Sequence, residues 1–269
     1  MNNRNFLILL FLALVFVACE KDDEYIQDIE ETMVSIAKAD SEAGYFSVEL
    51  LAKDTLFEGY NSLFLDITKK SDLEAVSQAS VAFFPLMNMV AMKHAAPVEN
   101  PETFPNEEGY FEGAVVFIMP DNPDESWSLA MAIDADGVKD TVNFMIPVVK
   151  RLEEARKISI ISEIDGKIYF ISLLEPSEPK VGMNDIEFTV HYRQNMMSFP
   201  PDEDISITIE PEMPSMGHGS PNNENPVHIG NGHYKGKVNF TMTGWWRINL
   251  DLTKSGAAVA NDLSFDVTF

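Results

Sequence analysis

Ile205-Ser206-Ile207-Thr208-Ile209-Glu210 places an aliphatic residue at every second position and a polar one between. Side chains of an extended strand alternate between two faces, so this stretch reads as a strand with one face in a core and the other in water. Trp246-Arg247-Ile248-Asn249-Leu250-Asp251-Leu252 repeats the pattern. Turn pairs follow such runs at Asp136-Gly137, Asp165-Gly166 and Asn231-Gly232. The second of these, between residues 158–164 and 167–174, predicts a two-residue hairpin. Only the short charged stretch 151–157 suggests a helix, as a connector.

The pattern occurs twice in the chain. At a constant offset, Gly59, Asn61, Leu63, Leu65 and Ile67 correspond to Gly182, Asn184, Ile186, Phe188 and Val190. Val81, Phe83 and Pro85 answer to Ile207, Ile209 and Pro211, Gly113 to Gly236, Met119 to Met242, and Trp127 to Trp246. A repeat of about 115 residues is too long for a solenoid unit of roughly 20–50, so it predicts two tandem domains. About seven short strands in each, with no long helical period, predict an all-β fold of two tandem immunoglobulin-like β-sandwich domains, over 33–149 and 150–269.

Composition narrows the function. Hydrophobic residues make up 45% and charged residues 23% of the 269, as in folded proteins. Forty-three acids against 19 bases give a net charge of −24, which repels phosphate backbones and excludes nucleic acid as a partner. One cysteine excludes a disulfide framework and any zinc site needing two thiolates. Nucleophile-elbow, phosphate-loop and HExxH motifs are missing from the sequence, so no catalytic residue is assigned and a non-enzyme is expected.

The N-terminus predicts an address. Arg4 precedes an apolar run over residues 6–18, shorter than the roughly 20 apolar residues that span a bilayer, so 1–18 reads as a secretory signal. Its end, Val15-Phe16-Val17-Ala18-Cys19, resembles the lipobox of bacterial lipoproteins. That resemblance implies cleavage before Cys19 and lipid attachment to its thiol, with membrane contact through the anchor. The alternative is a free thiol in an ordinary signal peptide. Residues 19–32 read as an acidic tether, and Lys21-Asp22-Asp23 is similar to the signal that sends lipoproteins of diderm bacteria to the outer face of the outer membrane. The expected place is therefore the cell envelope, lipid-anchored at the outer membrane and surface-exposed.

The chemistry-bearing pattern is Met-x-x-Met-x-His, found as Met89, Met92 and His94 and again as Met213, Met216 and His218, with Met87 just upstream of the first. Thioethers are soft donors and imidazole a borderline one, a mixture that favours copper over zinc, calcium or magnesium. The competing reading has methionines filling core gaps and a histidine capping a loop. Met119, Met242 and Trp246 are expected in the core, and His191 exposed on an outer strand face. His228 and His233, present only in the second copy, either add a ligand there or line a loop, with the loop favoured.

The segment Met213-Pro214-Ser215-Met216-Gly217-His218-Gly219, with Gly232-His233-Tyr234-Lys235-Gly236 and Thr241-Met242-Thr243-Gly244-Trp245-Trp246, resembles the YtkA-like domain, a relative of FixH. The first copy is similar but more divergent. The resemblance implies a small envelope β-sandwich and, through FixH, copper-oxidase assembly. This chain departs from FixH in having two domains and a lipobox in place of a transmembrane helix, which weakens the assembly role and leaves the fold intact. Two functions follow as expectations: metal binding by a non-enzymatic lipoprotein for buffering or delivery, or an interaction module for a protein or glycan partner with structural methionines.

Overall fold

The computed structural model describes residues 33–151 and 155–269, all of whose named elements are strands. The signal, Cys19 and the tether lie outside the described residues, as does the middle of the 151–157 stretch; Lys157 itself opens a strand rather than a helix. Among the described residues no helix is long and apolar enough to cross a membrane.

The first sandwich comprises β1 (Val34–Asp40), β2 (Phe46–Ala52), β3 (Gly59–Lys69), β4 (Ser80–Asn88), β5 (Lys93–His94), β6 (Val98–Glu99), β7 (Phe111–Phe117), β8 (Ser126–Ala135) and β9 (Val138–Ile146). The second comprises β10 (Lys157–Ile161), β11 (Ile168–Glu175), β12 (Gly182–Tyr192), β13 (Ile205–Met213), β14 (His218–Gly219), β15 (Glu224–Gly230), β16 (His233–Phe240), β17 (Trp245–Lys254) and β18 (Ala257–Thr268). The five-stranded sheets run β1-β2-β3-β7-β6 and β10-β11-β12-β16-β15; the four-stranded ones run β5-β4-β8-β9 and β14-β13-β17-β18. The two orders are identical strand for strand, which establishes two tandem immunoglobulin-like sandwiches. Among the described residues each has nine strands rather than seven, because the short edge strands carry too little pattern to be seen in sequence.

The repeated residues do the same work twice. Asn61 accepts from the amide of Phe57 and donates to the carbonyls of Phe57 and Gly59; Asn184 does this with Lys180 and Gly182. Gly59 and Gly182 sit at positive φ, 133° and 102°, where the chain enters its long central strand. A Cβ on Gly113 would lie 2.6 Å from the Glu99 carbonyl oxygen, and one on Gly236 would run into that of Glu224. Both glycines let an edge strand cross close to its neighbour. Each core is a cage of inward aliphatics around one fully buried tryptophan, Trp127 or Trp246.

The sandwiches meet through the five-stranded sheets. Phe64, Ala114 and Val116 on the outer face of the first are buried, as are Phe170, Ser172, Thr189 and His191 on that of the second. Strand β3 contacts β11. Lys157 Nζ lies 3.1 Å from Glu58 Oε1 and donates to the Ile118 carbonyl, while the Ala95 amide donates to the Met196 carbonyl at 2.8 Å. His233 closes the seam between two carboxylates, Nδ1 at 2.7 Å from Glu187 of its own sandwich and Nε2 at 2.8 Å from Glu99 of the other. Burial alone would lower its pKa, but the hydrogen bonds and charges of the two glutamates prevail and raise it to about 9. His191, expected at the surface, is 2% exposed, because its outer strand face is the one the first sandwich covers. Desolvation depresses its pKa to about 4. Ser172 Oγ, Thr189 Oγ1 and His191 Nδ1 have no hydrogen-bond partner among the described residues.

Candidate functional site

A hairpin-like return after β4 and β13 carries the Met/His segments. In the ladder Met87 lies opposite His94, and Met213 opposite His218. The structural counterpart of Met213 is therefore Met87, two residues after the shared proline in each copy, and not Met89. The first copy has a longer turn, closed by the Met89 amide donating to the Met92 carbonyl. In the second, Met216 and Gly217 both donate to the Met213 carbonyl, with Gly217 at φ 64°.

The six expected ligands thus separate. Met213 is 4% exposed and packs in the second core. Met89 is half-buried against the first core, whereas Met92 and Met216, at 53% and 58% exposed, stand at the turns. His94 is buried, and His218 is half-buried.

Both histidines are held in the same way. His94 Nδ1 lies 2.8 Å from the Ala95 carbonyl oxygen, and His218 Nδ1 lies 3.0 Å from that of Gly219. A carbonyl only accepts, so Nδ1 carries the proton in each ring. The neutral imidazole therefore keeps its lone pair on Nε2, the tautomer that suits a metal ligand. Each ring stands edge-on to the core tryptophan, at 5.4 Å for His94 on Trp127 and 5.9 Å for His218 on Trp246. The tryptophans in turn donate from Nε1 to the carbonyls of Met119 and Met242.

The partner that sequence reasoning assigned to the core is Met119. Its sulfur lies 3.3 Å from His94 Nε2, and the residue is half-buried at the edge of the core rather than inside it. Met242, also expected inside, is 38% exposed. The signal for this pair was present, since Met119 and Met242 correspond in the repeat. It was masked by the alternation of Val238, Phe240 and Met242, which ends where β16 stops at Phe240. Each sandwich therefore stacks histidine, tryptophan and methionine in one motif, tightened on the thioether in the first copy. Among the described residues no three His, Cys, Asp or Glu side chains form a group able to hold a metal, so a ligand set here must draw on thioethers.

No relative was found among functionally characterised proteins. Solved structures similar to the chain include invasin, a bacterial integrin-binding protein, at 9% identity and TM-score 0.27, covering 83% of this chain and 39% of that one. Domains 5–6 of the S-layer protein SbsC match at 10% identity and TM-score 0.30, covering 88% and 98%. FdeC, an adhesin of Escherichia coli, matches at 14% identity and TM-score 0.26, covering 87% and 66%. The chain thus spans about two fifths of the invasin structure. Residues 166–251, the central part of the second sandwich and including Met213, Met216 and His218, match the YtkA-like family model.

Proposed function

We propose that the chain is a non-enzymatic envelope protein that binds a soft metal ion, copper above all, through a histidine–thioether site in each sandwich, for buffering or delivery. The observation that carries this reading is His94 Nε2 at 3.3 Å from the Met119 sulfur, with Nδ1 tied to a backbone carbonyl. In the neutral ring protonated at Nδ1, the imidazole lone pair and the thioether are two donors without a proton between them, a contact that a soft cation satisfies. His94 and Met119 make up the first proposed site, with Met89 on the turn that leads to His94; the second proposed site is His218, with Met216 on its own turn and Met242 across Trp246. A copper(I) titration of the full chain under reducing conditions tests it. Stoichiometric binding that falls at least tenfold in affinity in Met119→Leu, and again on changing Met216 and His218 to Ala, is expected. Equal binding by all variants, or none by any, overturns it.

A second reading, an envelope interaction module with structural methionines, is favoured by the burial of Met87 and Met213 in their cores. It leaves the pairing of His94 with Met119 without a role.

A further inference from the structure

The two residues that face each other in the first site are gripped from the other sandwich. Lys157, at the start of β10, donates from Nζ to the Ile118 carbonyl at 3.0 Å. That carbonyl belongs to the peptide joining Ile118 to Met119, a planar unit, so the bond fixes the plane from which Met119 departs. The Lys157 side chain is 6% exposed and is itself held by Glu58 Oε1 at 3.1 Å and Ser159 Oγ at 2.8 Å. A bond from a cation to a carbonyl, shielded from water, is stronger than a neutral one. On the histidine side, the Met196 carbonyl accepts from the Ala95 amide at 2.8 Å, and that amide belongs to the peptide joining His94 to Ala95. Met196 stands in a turn closed by the Gln194 amide donating to the Ser198 carbonyl at 3.0 Å. The second copy serves as an internal control. Its bonds at the matching positions stay within one sandwich, Met213 opposite His218 in the ladder and Trp246 Nε1 on the Met242 carbonyl. The histidine–tryptophan–methionine stack is common to both copies. The sulfur contact at 3.3 Å occurs in the gripped copy, whereas in the other His218 is half-buried and Met242 is 38% exposed.

We propose that the second sandwich is the positioning element of the first site. Lys157 and the Met196 turn hold the peptides of Met119 and His94 from one side, so the thioether and Nε2 keep their separation before any ion arrives. Donors fixed in advance lose little freedom on binding, and supporting bonds of this kind are worth about tenfold to a hundredfold in metal affinity. The first site is thereby the tighter of the two, and its tightness depends on the join between the sandwiches as well as on the ligands. The affinity half of this inference rests on the metal reading; the positioning half concerns the metal-free chain and stands apart from it.

Lys157→Met, combined with Glu58→Gln so that no charge loses its partner, tests this in the full chain, with Met216→Ala and His218→Ala silencing the second site. In the metal-free chain, NMR of the labelled Met119 methyl reads its contact with the His94 ring. That contact is expected to vanish in the variant and to return when position 157 carries arginine beside the native Glu58. Copper(I) affinity is expected to fall about tenfold and to recover in the same rescue. Exchanging the Ala95 amide for an ester removes that N–H, leaves every side chain in place and should weaken the contact likewise. A contact unchanged in both variants, well below their thermal midpoints, overturns the proposal. A residue that merely joins the sandwiches would lower the midpoint without parting ring from sulfur. A lost contact with copper bound as tightly as before overturns it too. A lost contact with no copper bound by the parent or any variant upholds the positioning and sinks only the metal reading.

Discussion

The two sandwiches are the same object built twice and finished differently. Strand order, the glycine–asparagine entry to the central strand and the tryptophan-to-methionine-carbonyl bond are shared in atomic detail. What differs is what each copy does with its margins. The first encloses its histidine, brings a sulfur onto it and leaves outward a sheet face that carries little charge. The second leaves its histidine half-buried beside an exposed methionine and covers the equivalent sheet face with charge. A β-sandwich fixes inward positions through packing, while turns and outer faces are constrained only by solvent or by a partner. Divergence therefore concentrates where a ligand or partner would be met.

The largest test of the shared frame is the tryptophan. Trp127→Ala and Trp246→Ala should each cost about 3–5 kcal/mol in chemical denaturation. Very unequal costs would show that the copies are not equivalent inside. The next test separates core methionine from turn methionine. Met87→Ala and Met213→Ala should cost about 2–5 kcal/mol, whereas Met92→Ala and Met216→Ala should stay within about 0.5 kcal/mol. Similar losses at all four would return the whole motif to the core.

The seam gives a smaller, pH-dependent effect. A histidine whose folded pKa is raised to about 9 binds its proton more tightly folded than unfolded, where it titrates near 6.5. Its contribution is complete below about pH 6.5 and fades as pH climbs to about 9. His233→Gln should therefore cost about 1–2 kcal/mol near neutrality and flatten the alkaline limb of a stability profile. His191, held to about 4, acts in the opposite sense and removes stability as pH falls from about 6.5 to about 4. The smallest effect is a gain. Thr189→Val removes a buried hydroxyl that has no partner among the described residues and should raise stability by up to about 1 kcal/mol, measurable as a shift in thermal midpoint.

Much of the frame was legible in the sequence. The alternation of Ile205–Glu210, the Asp165-Gly166 hairpin and the offset repeat lead to two sandwiches because period-2 burial leaves a direct trace in residue type. The correspondence of Met89 with Met213 did not survive, since a loop of different length carries no register of its own and only the ladder shows that Met87 lies opposite His94. His191 and His233 were misjudged for a related reason. Strand patterning tells which face a residue takes, but not whether another domain covers that face. The pairing of His94 with Met119 joins residues far apart in sequence, and nothing local to either announces it.

The amide that follows His94, on Ala95, is bonded across the seam to Met196. The carbonyl of the same residue holds the His94 ring. One residue thus serves as anchor for the imidazole and as a rivet between sandwiches. Where a change at His94 alters the seam, thermodynamic reciprocity requires that a change at the seam alter His94 by the same free energy. The second sandwich has no such rivet beside His218 among the described residues. The residue beside His94 is thus shared between ring and seam, whereas the one beside His218 serves its own sandwich alone.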